Sequence, residues 1–92
     1  MVTAIVKEII THGENDREKI AIVANGEQIT YGDFSKLIKQ AANYLANKGI
    51  NSGDRVVLEA YPSIEFISFY FATHLLNAIS VPLDVNYTEK NF

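Results

Sequence analysis

The chain has no cysteine and no tryptophan, and only two prolines and one methionine among its 92 residues. Without cysteine there is no disulfide framework, no thiolate metal site and no cysteine nucleophile, and the two histidines cannot build a zinc centre without carboxylate help. A stapled secreted scaffold is not what such a chain encodes. Basic residues are also scarce. Eight Lys and Arg face eleven Asp and Glu, giving a net charge of -3, so the electrostatic footprint for a phosphate backbone or an anionic bilayer is missing. Neither nucleic acid nor a membrane is expected as a partner. Lys7 and Glu8 interrupt the first apolar stretch, and no apolar segment reaches the ~20 residues that span a bilayer, so the reading is a cytoplasmic protein. The five glycines, Gly13, Gly26, Gly32, Gly49 and Gly53, never cluster into a loop whose amides could cradle a phosphate.

What is present is an ordinary globular mixture, 48% hydrophobic and 21% charged, with length for one small core. No repeat or linker divides it, so residues 1–92 read as one unit. Val2, Ile5, Val6, Ile9 and Ile10 make one helical stripe running to His12, with Gly13 as its expected stop and 14–19 as a polar loop. The β-branched run 20–23, the turn dipeptide Asn25-Gly26 and the return 28–30 predict a β-hairpin. Thr30 is placed to cap a helix by accepting from the amide of Asp33. In that helix Phe34, Leu37, Ile38, Ala41 and Leu45 share a face, and Gly49 is set for a left-handed stop.

A turn at 51–54 leads into a strand of Val56, Val57, Leu58 and Ala60, which ends at Tyr61-Pro62. Ser63 then opens a helix from Ile64 to Leu76 that is apolar on nearly every side, with a narrow polar stripe near Glu65 and Ser68, which predicts burial all round. Asn77 ends it, and 79–83 is a short strand with Pro82 near its end. Strand, helix and strand with short joints predict a right-handed βαβ unit with parallel strands. Residues 84–92 read as a polar turn leading toward another helix at Thr88 or Glu89.

Chemistry-bearing groups are sparse. His12 sits where an imidazolium can meet the last carbonyls of a helix, and His74 lies on the apolar helix; both read as structural or surface residues. Ser35, Ser63, Ser68 and Ser80 lack the glycine-flanked turn that exposes a hydrolase serine. Glu59 and Glu65 flank the strand-to-helix joint. Asp84 follows the last strand, where open α/β sheets place their crevices, although a turn or cap role explains it as well. The aromatics Phe66, Phe69, Tyr70 and Phe71 could line an acyl or aryl pocket, but at helical spacing they read as packing.

The order of these pieces resembles a known family. Ile29-Thr30-Tyr31-Gly32-Asp33-Phe34, the helix through Ala41, Ala42 and Leu45, the turn from Gly49 to Val56, and the run from Leu75 to Asp84 are similar to successive signatures at the start of the adenylate-forming ligases. That superfamily comprises acyl- and aryl-CoA ligases, adenylation domains of nonribosomal peptide synthetases, and luciferases. Asn77-Ala78 stands where the family usually has a glycine, and Tyr61-Pro62 departs from its commoner proline-then-asparagine joint. The resemblance implies a parent enzyme that joins a carboxylic acid to ATP with magnesium, releases pyrophosphate, and passes the acyl group to the thiol of coenzyme A or of a phosphopantetheine arm. It carries no catalytic, cofactor-binding or metal residue onto this chain, because the motifs matched here are structural.

The expectation is therefore an α/β fold of N-terminal helix, hairpin, helix and βαβ unit, forming an incomplete piece of a larger α/β domain and inactive alone. Its expected partners are the remainder of the ligase domain, or a second copy through the helix from Ile64 to Leu76. A stand-alone, non-catalytic interaction module derived from the same fold is the alternative.

Overall fold

A computed structural model describes residues 2–24, 26–60 and 63–84. The elements follow in the order α1 (Val2–Asn15), β1 (Ile20–Ala24), β2 (Glu27–Thr30), α2 (Tyr31–Asn47), β3 (Arg55–Ala60), α3 (Ile64–Leu75) and β4 (Ile79–Asp84). The three helices pack on one another, the antiparallel β1-β2 hairpin lies against α2, and the parallel β3-β4 pair lies against α3. Among the described residues the four strands form these two separate sheets.

The core is built mostly from the helical layer: Val6, Phe34, Ile38, Ala41, Ala42, Leu45 and Ala72, joined by Val56 and Ala78. Phe34 meets Phe71 edge-on at 6.0 Å between centroids, and Tyr44 meets Phe69 in the same way at 6.0 Å, fixing α2 on α3. Cutting the fully enclosed Phe34 back to alanine would cost about 3–5 kcal/mol.

The caps follow the sequence. The amide of Asp33 donates to Thr30 Oγ1 at 3.3 Å, and the amide of Phe66 donates to Ser63 Oγ at 3.0 Å. Gly49, at φ +90°, ends α2: its amide donates to the Ala46 carbonyl and that of Ile50 to Leu45. Asn77, at φ +59°, does the same for α3, with its amide on the His74 carbonyl and that of Ala78 on Thr73. An asparagine here has a use that glycine would not. Its side-chain amide donates to Ser52 Oγ at 2.8 Å, and its carbonyl accepts from Gly53, tying the end of α3 to the turn before β3.

Several expectations are corrected. Gly13 does not stop α1, which continues through Asn15; it is buried where α1 crosses α2, and a Cβ there would lie 2.6 Å from Ser35 Cβ. Leu37 is 37% exposed on the supposed inner face of α2, while Ala42 and Ser35 are buried. Ile5 is likewise exposed, Ile9 and Ile10 are partly buried, and Val6 is fully enclosed. β4 runs one residue further than expected, to Asp84, and Pro82, two residues from that end, is paired with Leu58.

The correction to α3 matters most. Its buried line is Ser68, Ala72 and Thr73, so Ser68 of the expected polar stripe is 3% exposed, while the large apolar residues are only half-buried. Small side chains let the helices approach closely. Ser68 and Thr73 donate at 2.8 Å to the carbonyls of Ile64 and Phe69, which satisfies both hydroxyls inside the helix.

β3 and β4 run in register from Arg55 beside Ile79 to Ala60 beside Asp84. Val56 and Leu58 face the core; the opposite face carries Arg55, Val57 and Glu59 beside Ile79, Val81 and Leu83. On that face Val57 is 61% exposed, Ile79 49% and Leu83 46%. The Tyr61-Pro62 joint, the Asn25 position and the expected turn and helix start within 85–92 lie outside the described residues.

Candidate functional site

The carboxyl end of a parallel strand and the amino end of the following helix are where α/β folds gather ligand-binding groups. Here that place is the end of β3, Ser63 and the first turn of α3. Ser63 has an extended backbone and spends its hydroxyl on the cap. Beside it opens a groove of about 660 Å3 between the hairpin, α2 and the start of α3. Ile29, Leu37, Ala41, Ile64 and Phe69 give it apolar walls, while Glu27 and Glu65 lie on it with Gln28 and Gln40. Across Glu65 and Phe69 is a smaller hollow of about 200 Å3 that also holds Glu59.

The structure thus brings Glu59 and Glu65 to one hollow, as their flanking of the joint suggests. Among the described residues no lysine, arginine or histidine lines either cavity, so neither carboxylate has a cationic partner there among them. Asp84 is the last residue of β4, paired with Ala60, rather than the residue after the strand.

The histidines lie apart in function. His12 does not engage the last carbonyls of α1; its Nδ1 stands 3.2 Å from Asp16 Oδ2 and its ring rests on Tyr31 at 5.1 Å. The hydrogen bond from His12 first, and the charge of Lys19 second, hold the Asp16 carboxyl below the usual carboxylate range. A stop at Gly13 hides this pair in the sequence; with the helix running to Asn15, positions 12 and 16 are one turn apart. His74 Nε2 is 3.2 Å from Ser80 Oγ, with the Tyr70 ring at 4.9 Å. That contact joins a serine to an imidazole, but no carboxylate orients the other ring nitrogen among the described residues, which a nucleophile–base pair requires.

Among the described residues, the donor set of this site does not fit ATP or magnesium. Among the described residues no three His, Asp or Glu side chains converge on a metal site. Gly26, Gly49 and Gly53 each occupy a separate left-handed turn position rather than one phosphate-cradling loop. The site offers an apolar groove with an acidic rim.

The model of the AMP-binding enzyme family matches residues 10–92. The chain belongs to that family. An Escherichia coli medium-chain fatty-acid–CoA ligase is 37% identical over 73 residues, covering 78% of this chain and 13% of the relative. A naringenin synthase of Pestalotiopsis fici is 34% identical over 82 residues, covering 89% and 3%. Among solved structures, the N-terminal domain of FACL13 from Mycobacterium tuberculosis superposes with a TM-score of 0.76 at 25% identity, over 88% of this chain and 21% of that one. The α/β arrangement is thus that of the N-terminal domains of AMP-binding enzymes, and the chain spans 13% or less of the length of these curated relatives. Among the described residues no helix is long and apolar enough to cross a membrane.

Proposed function

We propose that this chain is the opening segment of the large domain of an ATP-dependent, cytoplasmic ligase that activates a carboxylic acid as its adenylate and passes it to a thiol, of coenzyme A or of a phosphopantetheine arm. Within that enzyme the segment acts as scaffold, and alone it is inactive. ATP and magnesium belong to the whole enzyme; no step is assigned to them here, because the described residues of the groove beside α3 do not fit them.

The observation that carries this reading is the outer face of the β3-β4 pair. Parallel strands occur in sheets covered on both faces, because their crossovers put helices there. Here α3 covers one face, and the other leaves Val57, Ile79 and Leu83 open beside the partly buried Val81, with Arg55 and Glu59 among them. The remainder of the ligase domain is the partner that covers it and extends the sheet. The half-buried aromatics of α3 add to the surface left for that contact.

The test is the behaviour of the 92-residue chain alone. Sedimentation velocity is expected to show association that grows with concentration, and an apolar-surface dye to bind it. A monomer that binds no dye at all concentrations would contradict the scaffold reading.

A further inference from the structure

Where α1 crosses α2 there is a further hollow, of about 370 Å3. Gly13 and Gly32 line it, and both are glycines at close approaches: a Cβ on Gly32 would lie 3.2 Å from the Cβ and carbonyl oxygen of Arg17. Arg17, Lys36 and Lys39 also line it, against one acid, Glu14, a local excess of positive charge in a chain of net charge -3. None of these cations forms an ion pair among the described residues, where both ion pairs belong to Asp16. Lys36 and Lys39 are one turn apart on α2, so their like charges repel.

A second observation comes from Ser35. It is 5% exposed, yet its hydroxyl has no hydrogen-bond partner among the described residues, whereas the comparably buried Ser68 and Thr73 both return theirs to the helix. No described side-chain polar atom is sealed from solvent without a partner, so Ser35 Oγ opens onto the hollow it lines. The first amides of α2 are not available there: those of Tyr31 and Gly32 donate to the Lys19 and Arg17 carbonyls, and that of Asp33 to Thr30. Whatever binds must be held by side chains.

We propose that this hollow binds a small organic phosphate monoester by its phosphoryl group. Arg17 supplies a planar fork of donors, Lys36 and Lys39 supply charge, and the Ser35 hydroxyl donates one hydrogen bond. The dianion relieves the repulsion between the lysines and gives the solvent-facing Ser35 hydroxyl a charged acceptor. A cavity of 370 Å3 lies in the size range of small-molecule sites, which leaves room for the organic part of an ester.

The test is equilibrium dialysis of the chain with radiolabelled glycerol 3-phosphate and, separately, inorganic phosphate, at constant ionic strength in chloride. Saturable binding of the ester at one site per chain is expected, with a dissociation constant of the order of 1 mM. The double variant Arg17→Gln, Lys39→Gln should weaken it by about tenfold or more, and Ser35→Ala by roughly threefold, with unchanged circular dichroism. Absence of saturable binding, or binding that neither variant alters, would overturn the site. Inorganic phosphate binding more tightly than the ester would overturn the assignment to an ester.

Discussion

Gly13→Ala separates packing from propensity by the sign of its effect. In an exposed helix interior the change would stabilise by about 1 kcal/mol, since alanine loses less backbone entropy. At this position the new methyl group would meet Ser35 Cβ at 2.6 Å, Ser35 Oγ at 3.0 Å and the Tyr31 carbonyl oxygen at 3.1 Å. Two of those atoms are rigidly attached to α2, so the helices must separate rather than a side chain swing aside. Overpacking of this kind costs about 1–3 kcal/mol, and the rigid neighbours place it at the upper end, so a net loss of about 2 kcal/mol is expected. For a domain of this size that is a fall of roughly 8–16 °C in melting temperature, read by circular dichroism. Ser35→Gly in the Gly13→Ala background removes the closest atom and should recover more than about 1 kcal/mol as coupling energy. A Gly13→Ala chain that melts higher than the parent would refute the close crossing of α1 and α2.

Other expectations follow from single contacts. Ser63→Ala removes the acceptor of the Phe66 amide and should cost about 1 kcal/mol in urea unfolding; an unchanged midpoint would deny the cap. Asp16 has a lowered carboxyl pKa in the folded chain, so its contribution to stability is full above the ordinary value of 3.8 and is lost as pH falls through the lower folded value. Asp16→Asn should therefore flatten the acid limb of the stability profile, and an unaltered limb would count against the His12–Asp16 contact. Val57→Lys, at a position 61% exposed, should change stability by less than about 0.5 kcal/mol while reducing self-association in sedimentation velocity. Association as strong as the parent's would move the sticky surface elsewhere.

Local signals in the sequence carried most of the fold. Thr30, Ser63, Gly49 and Asn77 mark helix ends because each supplies a group or a backbone conformation that a helix terminus needs, independent of what surrounds it. Gly13 failed as a stop for a tertiary reason: glycine also serves where two backbones must come close, and only the position of Ser35 on another helix tells the two uses apart. The same holds for α3. Its sequence shows large apolar residues all round, and hydropathy assigns burial by size, whereas the closest packing runs along Ser68, Ala72 and Thr73.

The site was legible only in outline. Glu59 and Glu65 could be placed at the strand-to-helix joint from their positions, and they do line one hollow. The His12–Asp16 pair required the correct end of α1, and the hollow holding Ser35 required the crossing of α1 and α2, which no spacing within either helix encodes.

The proposed role is that of scaffold in an acid-activating ligase, with no activity of the segment alone. Acid-dependent exchange of labelled pyrophosphate into ATP, measured on the purified 92-residue chain across a panel of carboxylic acids, tests it most directly. No exchange above the acid-free control is expected; exchange that requires a particular acid and saturates with it would contradict the account.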